Sequence, residues 1–162
     1  MVVVCDTSPI ANLIVIQRLG LLYQVFHKVL IPPSVNSEIE ALQEFKIDLT
    51  SFLSSDWIEI KSPSNLEEVK KYMVDLDEGE SEAISLAKEF SADFLLIDER
   101  AGTNKALEEG LTTIGLVGVL MKSKELGFIE KIEPILYQLK EEAGFWLGKK
   151  LLDSVLKEAG ER

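Results

Sequence analysis

Apolar runs of strand length alternate along this chain with stretches of helical periodicity, the pattern of a parallel sheet covered by helices. Val2 to Cys5 reads as a first strand. Ser8 then caps a helix with Pro9 at its first position, Ile10, Leu13, Ile14 and Ile16 supply its apolar positions, and Gly20 ends it. Val29-Leu30-Ile31 reads as a second strand, and Pro32-Pro33-Ser34 opens a helix to about Phe45. Phe52-Leu53 and Trp57-Ile58-Glu59-Ile60 lead through a short third strand, and segment 64–74 is helical. Gly79 precedes a strong helix through Phe90, and a strand follows that ends at Ile97. A helix from about Thr103 to Glu109 is stopped by Gly110, and Thr112-Thr113-Ile114 is a short strand. The remainder is helical, with breaks at Gly127, Pro134 and Gly144.

At 162 residues and 46% hydrophobic, the chain can bury one sizeable core, and the expectation is a single domain over residues 1–162. No run approaches the roughly 18 apolar residues of a membrane span, and the start does not resemble a signal peptide, so the expectation is a soluble, cytoplasmic protein with no membrane partner. Cys5 is the only cysteine, which excludes an intramolecular disulfide. The formal net charge of −11 argues against a simple nucleic-acid binder, since phosphate backbones call for a basic surface. Acids clustered around a metal would add to that sum while being neutralised by the ion.

The acids are where the chemistry gathers. Asp6 ends the first apolar run and Asp98 ends Phe94-Leu95-Leu96-Ile97, which puts two carboxylates at the carboxyl ends of strands, the edge where open α/β sheets bind ligands. Helical residues advance about 100° each, so Ala83, Ile84 and Ala87 lie within about 60° of Glu80, and Glu82 about 200° away. The same arithmetic puts Val35 and Leu42 beside Glu38 and Glu40 on the far side, so Glu38 and Glu80 both face inward. A carboxylate on a core-facing stripe needs a partner, a cation or a shifted pKa. Two like charges at 4 Å repel by about 1 kcal/mol in water and about 4 at an effective dielectric of 20, so protons or a cation must intervene among four acids. Hard oxygen ligands suit Mg²⁺ or Mn²⁺, which points to a phosphodiester substrate and metal-assisted hydrolysis.

Several segments carry a family resemblance: Val3-Val4-Cys5-Asp6-Thr7-Ser8-Pro9, Ile31-Pro32-Pro33-Ser34-Val35 leading to Glu38, Leu76-Asp77-Glu78-Gly79-Glu80-Ser81-Glu82-Ala83-Ile84, and Leu95-Leu96-Ile97-Asp98-Glu99-Arg100. Together with Ile114 to Leu120 and Ala143-Gly144-Phe145-Trp146 they resemble, in order and spacing, the PIN-domain nucleases. The likeness is greatest to the branch grouped as a domain of unknown function near the VapC-type toxins. The resemblance implies a three-layer α/β/α fold with a central, mostly parallel sheet of four or five strands. It implies a Mg²⁺- or Mn²⁺-dependent ribonuclease, possible toxin of a toxin–antitoxin pair, with RNA as substrate, an antitoxin protein as a partner and a homodimer as the assembly. Catalytic and metal-ligating roles fall on Asp6, Glu38, Glu80 and Asp98, with Ser8 orienting Asp6. Asp98 and Glu99 compete for the fourth acid position, because many PIN sequences place a Thr or Ser before their last acid where this chain has Ile97.

Each residue also has a plainer reading. Asp6 can cap a helix, Glu38 can pair with a buried cation, Glu80 can be a first-turn acid favoured by the helix dipole, and Asp98 can open a turn. Arg100 and Lys105 are candidates to bind phosphate, or are simply solvated. His27, the sole histidine, has no second His or Cys with which to bind zinc. Trp57, Phe145 and Trp146 read as core, and the amphipathic segment 145–162 as a helix packing on the domain or on a dimer partner. Two other classes compete with the nuclease: a PIN scaffold that binds RNA or a protein without cleaving, and a phosphatase of the haloacid-dehalogenase type. The phosphatase also starts from a strand-end Asp but requires a second Asp two residues on, where this chain has Ser8.

Overall fold

A computed structural model describes residues 1–162. Five short strands, β1 (Val3–Cys5), β2 (Val29–Ile31), β3 (Ile58–Ile60), β4 (Phe94–Leu96) and β5 (Thr113–Ile114), form one sheet in the order β3-β2-β1-β4-β5, every neighbouring pair parallel. Ten helices accompany them: α1 (Thr7–Val15), α2 (Gly20–Phe26), α3 (Pro33–Glu40), α4 (Thr50–Leu53), α5 (Leu66–Tyr72), α6 (Glu78–Glu89), α7 (Arg100–Glu108), α8 (Leu116–Glu125), α9 (Glu133–Ala143) and α10 (Lys149–Glu158). This is the three-layer α/β/α arrangement expected from the alternating pattern.

The strands are apolar throughout because both faces are covered, and their period of two divides them between two cores. Val3, Cys5, Val29, Ile31 and Leu96 face the larger core with α1, α2, α8 and α9. Val4, Leu30, Leu95 and Ile97 face the smaller one, built with α6 and with Tyr72 and Ala106. α10 packs back on the domain through Val155 and Leu156, which are buried in the larger core.

Several element boundaries differ from the sequence reading. The first helix stops at Val15 rather than Gly20: the Gln17 N–H donates to Ile14 O and the Arg18 N–H to Leu13 O, a Schellman closure with Gln17, at φ 59°, in the place glycine normally takes. Gly20 then opens α2, a helix the sequence reading missed. At the other end of α1 the cap position belongs to Asp6 rather than Ser8, and Pro9 fits two residues further in because the whole first turn has no intrahelical acceptor for its N–H groups. α7 starts at Arg100, three residues before the expected Thr103, with the Thr103 N–H and hydroxyl both donating to Glu99 O. Pro134 opens α9 instead of breaking a helix, and Trp146, read as core, is 68% exposed.

Candidate active site

β1 connects on one side to β2 and β3 and pairs on its other side with β4, so the strand order reverses between β1 and β4. The crevice at the carboxyl ends of two such strands is the ligand-binding position of open α/β sheets. Asp6 leaves β1 there, and it is 4% exposed. Its main chain is fixed by the Asp6 N–H donating to Leu96 O at 2.9 Å, which ties the end of β1 to β4.

α6 crosses over β1 and β4 and delivers Asp77, Gly79 and Glu80 to the same place. Asp77 is the helix N-cap, its Oδ1 accepting the Glu80 N–H at 2.8 Å. Glu80 is 8% exposed among the apolar residues Ala83, Ile84 and Ala87, as the helical arithmetic predicts. Glu82, on the other side of α6, accepts the Ser34 N–H at 3.1 Å and so holds the first turn of α3 against α6. α3 in turn carries Glu38, whose Oε2 accepts the Thr7 hydroxyl at 2.6 Å.

Gly79 shows how these acids converge. A Cβ on this residue would lie 3.1 Å from Glu38 Oε1, 3.5 Å from Asp6 Oδ1 and 3.6 Å from Asp77 Oδ1. Carboxylates from three elements therefore face one small space that only a glycine leaves open. No three acidic, His or Cys side chains stand at metal-ligating geometry in this arrangement. The acids converge without closing. The donor set, all hard carboxylate oxygens around a space a methyl group would fill, fits a divalent cation of the Mg²⁺ or Mn²⁺ kind.

The electrostatics follow from burial and crowding. Burial pushes the Asp6 carboxyl from its ordinary 3.8 up to about 7; a hydrogen bond from the Thr7 N–H works against it, and the charges of Asp77, Glu38 and Glu99 add to it. Burial likewise raises Glu80 to about 8, helped by its hydrogen-bonded contact with the Asp77 carboxyl and by the charges of Asp77, Asp6 and Glu99. Without a cation, then, this crevice retains protons near neutral pH. Asp98 is also raised, chiefly by burial, against a hydrogen bond from the Leu116 N–H.

Not every residue singled out in the sequence joins this group. Asp98 is turned away: its Oδ1 accepts the Leu116 N–H at 3.0 Å and its Oδ2 the same N–H at 3.3 Å, so it caps α8. Its neighbour Glu99 is the acid whose charge acts on both Asp6 and Glu80. Ser8 does not orient Asp6, for its buried hydroxyl has no hydrogen-bond partner; Thr7 is the hydroxyl of the crevice, and its partner is Glu38. Glu38 is exposed rather than buried, so it stands at the mouth. Lys105 lies elsewhere, 3.4 Å from Glu108 and over the Tyr72 ring. Arg100 is exposed at the first position of α7 and enters no ion pair. Asp77 was missed, although Asp77-Glu78-Gly79-Glu80 is a helix-start signature with an acid at N-cap and a Glu three residues later.

Comparison with known proteins agrees with this architecture. A PilT N-terminus domain protein from the hyperthermophilic archaeon Sulfolobus solfataricus P2 superposes with a TM-score of 0.53 at 24% sequence identity, over 77% of this chain and 95% of that one, a likeness of fold. No curated protein matches. The family model of the PIN domain matches residues 2–161. PIN domains are generally nucleases that use divalent metals. No helix here is long and apolar enough to cross a membrane. With nearly its whole length matched, the chain belongs to the PIN-domain family.

Proposed function

We propose that this protein is a Mg²⁺- or Mn²⁺-dependent endoribonuclease, with Asp6, Glu38 and Glu80 as the acids that hold the ion and Glu99, in preference to Asp98, as the fourth. The observation that carries this reading is the convergence of Asp6, Glu38 and Asp77 oxygens on the open space beside Gly79, with Glu80 buried next to them. A divalent ion held there would polarise a phosphoryl oxygen and lower the pKa of an attacking water. The chain's own groups divide the remaining tasks. Asp6, fixed by the β1–β4 hydrogen bond, is the rigid anchor. Glu38 and Glu99, both exposed, have the freedom to move inward, and the Thr7 hydroxyl keeps Glu38 aimed at the crevice. Glu80, buried and hydrogen-bonded to the Asp77 carboxyl, has its own carboxyl pushed up to about 8 when no cation compensates it. Arg100, unpaired at the N-terminus of α7, suits a substrate phosphate. Asp98 positions α8 and with it the β4–α7 turn.

RNA as the substrate, and a role as the toxin of a toxin–antitoxin pair, rest on the likeness of the motifs to the VapC-type toxins. The test is cleavage of end-labelled RNA and of DNA of the same sequence, with Mn²⁺, with Mg²⁺ and with EDTA, by wild type and by Asp6→Asn. Cutting of RNA that needs the metal and vanishes in the variant is expected. Cutting that survives both EDTA and the substitution refutes the proposal, and RNA retained but uncut by folded, Mn²⁺-supplied wild type replaces it with a non-cleaving scaffold. Growth arrest on induced expression, absent for Asp6→Asn, is the outcome expected of a toxin.

A further inference from the structure

We infer that Gly79 is a positioning residue whose missing side chain keeps open the space the cation and its water need, at a cost to the stability of α6. The inference rests on the carboxylate site proposed above. Gly79 is the second residue of α6, and its φ is not positive, so nothing in its backbone conformation requires glycine. The flexible backbone of a glycine in a helix is a disadvantage relative to alanine. Local helix formation therefore favours alanine here.

The surroundings oppose it. Gly79 is buried, and the three atoms nearest to a Cβ would all be carboxylate oxygens, from Glu38, Asp6 and Asp77. At 3.1 Å the Glu38 oxygen has to give way by a few tenths of an ångström, and Glu38 is tethered on its other oxygen by the Thr7 hydroxyl. A methyl group would offer these oxygens no hydrogen bond and no charge, and it would stand in the volume they share. In the cation-free protein the exposed Glu38 yields to it; to hold an ion, the same oxygens would have to share the volume the methyl group fills. Gly20 supplies the contrast. It also lies in the first turn of a helix, α2, but a Cβ there meets nothing within 4 Å.

The test measures unfolding temperature in EDTA and Mn²⁺ affinity by calorimetry for wild type, Gly79→Ala, Gly79→Val and Gly20→Ala. Gly79→Ala is expected to unfold in EDTA at or above the wild-type temperature while binding Mn²⁺ at least tenfold more weakly. Gly79→Val, with two more carbons in the same space, weakens binding further, and Gly20→Ala binds as wild type does. If wild type binds Mn²⁺ and folded Gly79→Ala binds it equally well, the inference about Gly79 is overturned while the metal site stands. If wild type binds no Mn²⁺ at all, the metal site and the inference fall together.

Discussion

Replacing Asp6 by Asn should stabilise the cation-free protein, and by an amount that grows with pH. The amide has nearly the shape of the carboxylate and keeps an oxygen to accept from the Thr7 N–H, but it cannot ionise. Burial and the neighbouring acids raise Asp6 from 3.8 to about 7 in the folded protein. An acid with a raised folded pKa binds its proton more tightly in the native state than in the unfolded chain, so its contribution is fully present below about pH 4 and is lost as pH rises through about 7. About three pH units at roughly 1.4 kcal/mol each sets a ceiling on the order of 4 kcal/mol. Because Glu80 titrates beside Asp6 and is relieved when Asp6 is neutral, the two changes are not independent. For a chain of this size the ceiling corresponds to roughly 10 °C in unfolding temperature.

Urea unfolding in EDTA at pH 4.5 and pH 8, followed by circular dichroism, gives the comparison. Wild type and Asp6→Asn should be close at the lower pH and well separated at the higher, with the variant more stable. Added Mn²⁺ should reverse the order at pH 8, by binding only the folded wild type. A gap of equal size at both pH values would refute the reasoning, because it would mean that Asp6 is not a proton-holding group in the fold.

Two further comparisons separate residues with different tasks. Asp98→Ala removes the acceptor of the Leu116 N–H at the start of α8 and should cost about 1 kcal/mol of stability with Mn²⁺ affinity retained, whereas Glu99→Gln, at an exposed position, should leave stability within about 0.5 kcal/mol and weaken Mn²⁺ binding. Chemical denaturation and calorimetry on the two variants decide it, and the opposite pattern would return the fourth acid to Asp98. Lys88 lies 2.8 Å from Glu68, 2.9 Å from Glu109 and 3.0 Å from the Tyr72 hydroxyl, joining α5, α6 and α7 away from the acids. Lys88→Met should therefore lose about 1–3 kcal/mol of stability while cleavage by the folded protein persists, which a denaturation curve and an RNA assay below the transition will measure.

Much of this protein is legible in one dimension because burial leaves a periodic trace. The apolar runs at Val29 to Ile31 and Phe94 to Ile97 are strands since both faces are covered, and Glu80 reads as inward-facing since its helical neighbours Ala83, Ile84 and Ala87 are apolar. Glycines at Gly110, Gly127 and Gly144 adopt positive φ and end helices as their residue type dictates. The end of α1 left no such trace, because Gln17 takes the left-handed position that glycine usually marks.

Side-chain direction at the site was decided only by the tertiary structure. Asp98 and Glu99 are adjacent in sequence and equally acidic, yet one accepts the Leu116 N–H at the start of α8 while the charge of the other acts on Asp6 and Glu80, a choice set by where α8 begins in space. Thr7 and Ser8 offer the same hydroxyl chemistry, and only the approach of α3 gives Thr7 a partner. Asp77 and Gly79 looked like ordinary features of a helix start until the folding of β1, α3 and α6 onto one another brought oxygens from distant segments around a single point. Composition and periodicity mark most of the strands and the apolar faces of the helices, because those depend on local spacing and transfer from water; which acids meet, and that Glu38 and Trp146 end up exposed, depends on the relative placement of whole elements, and that is a property of the packed molecule.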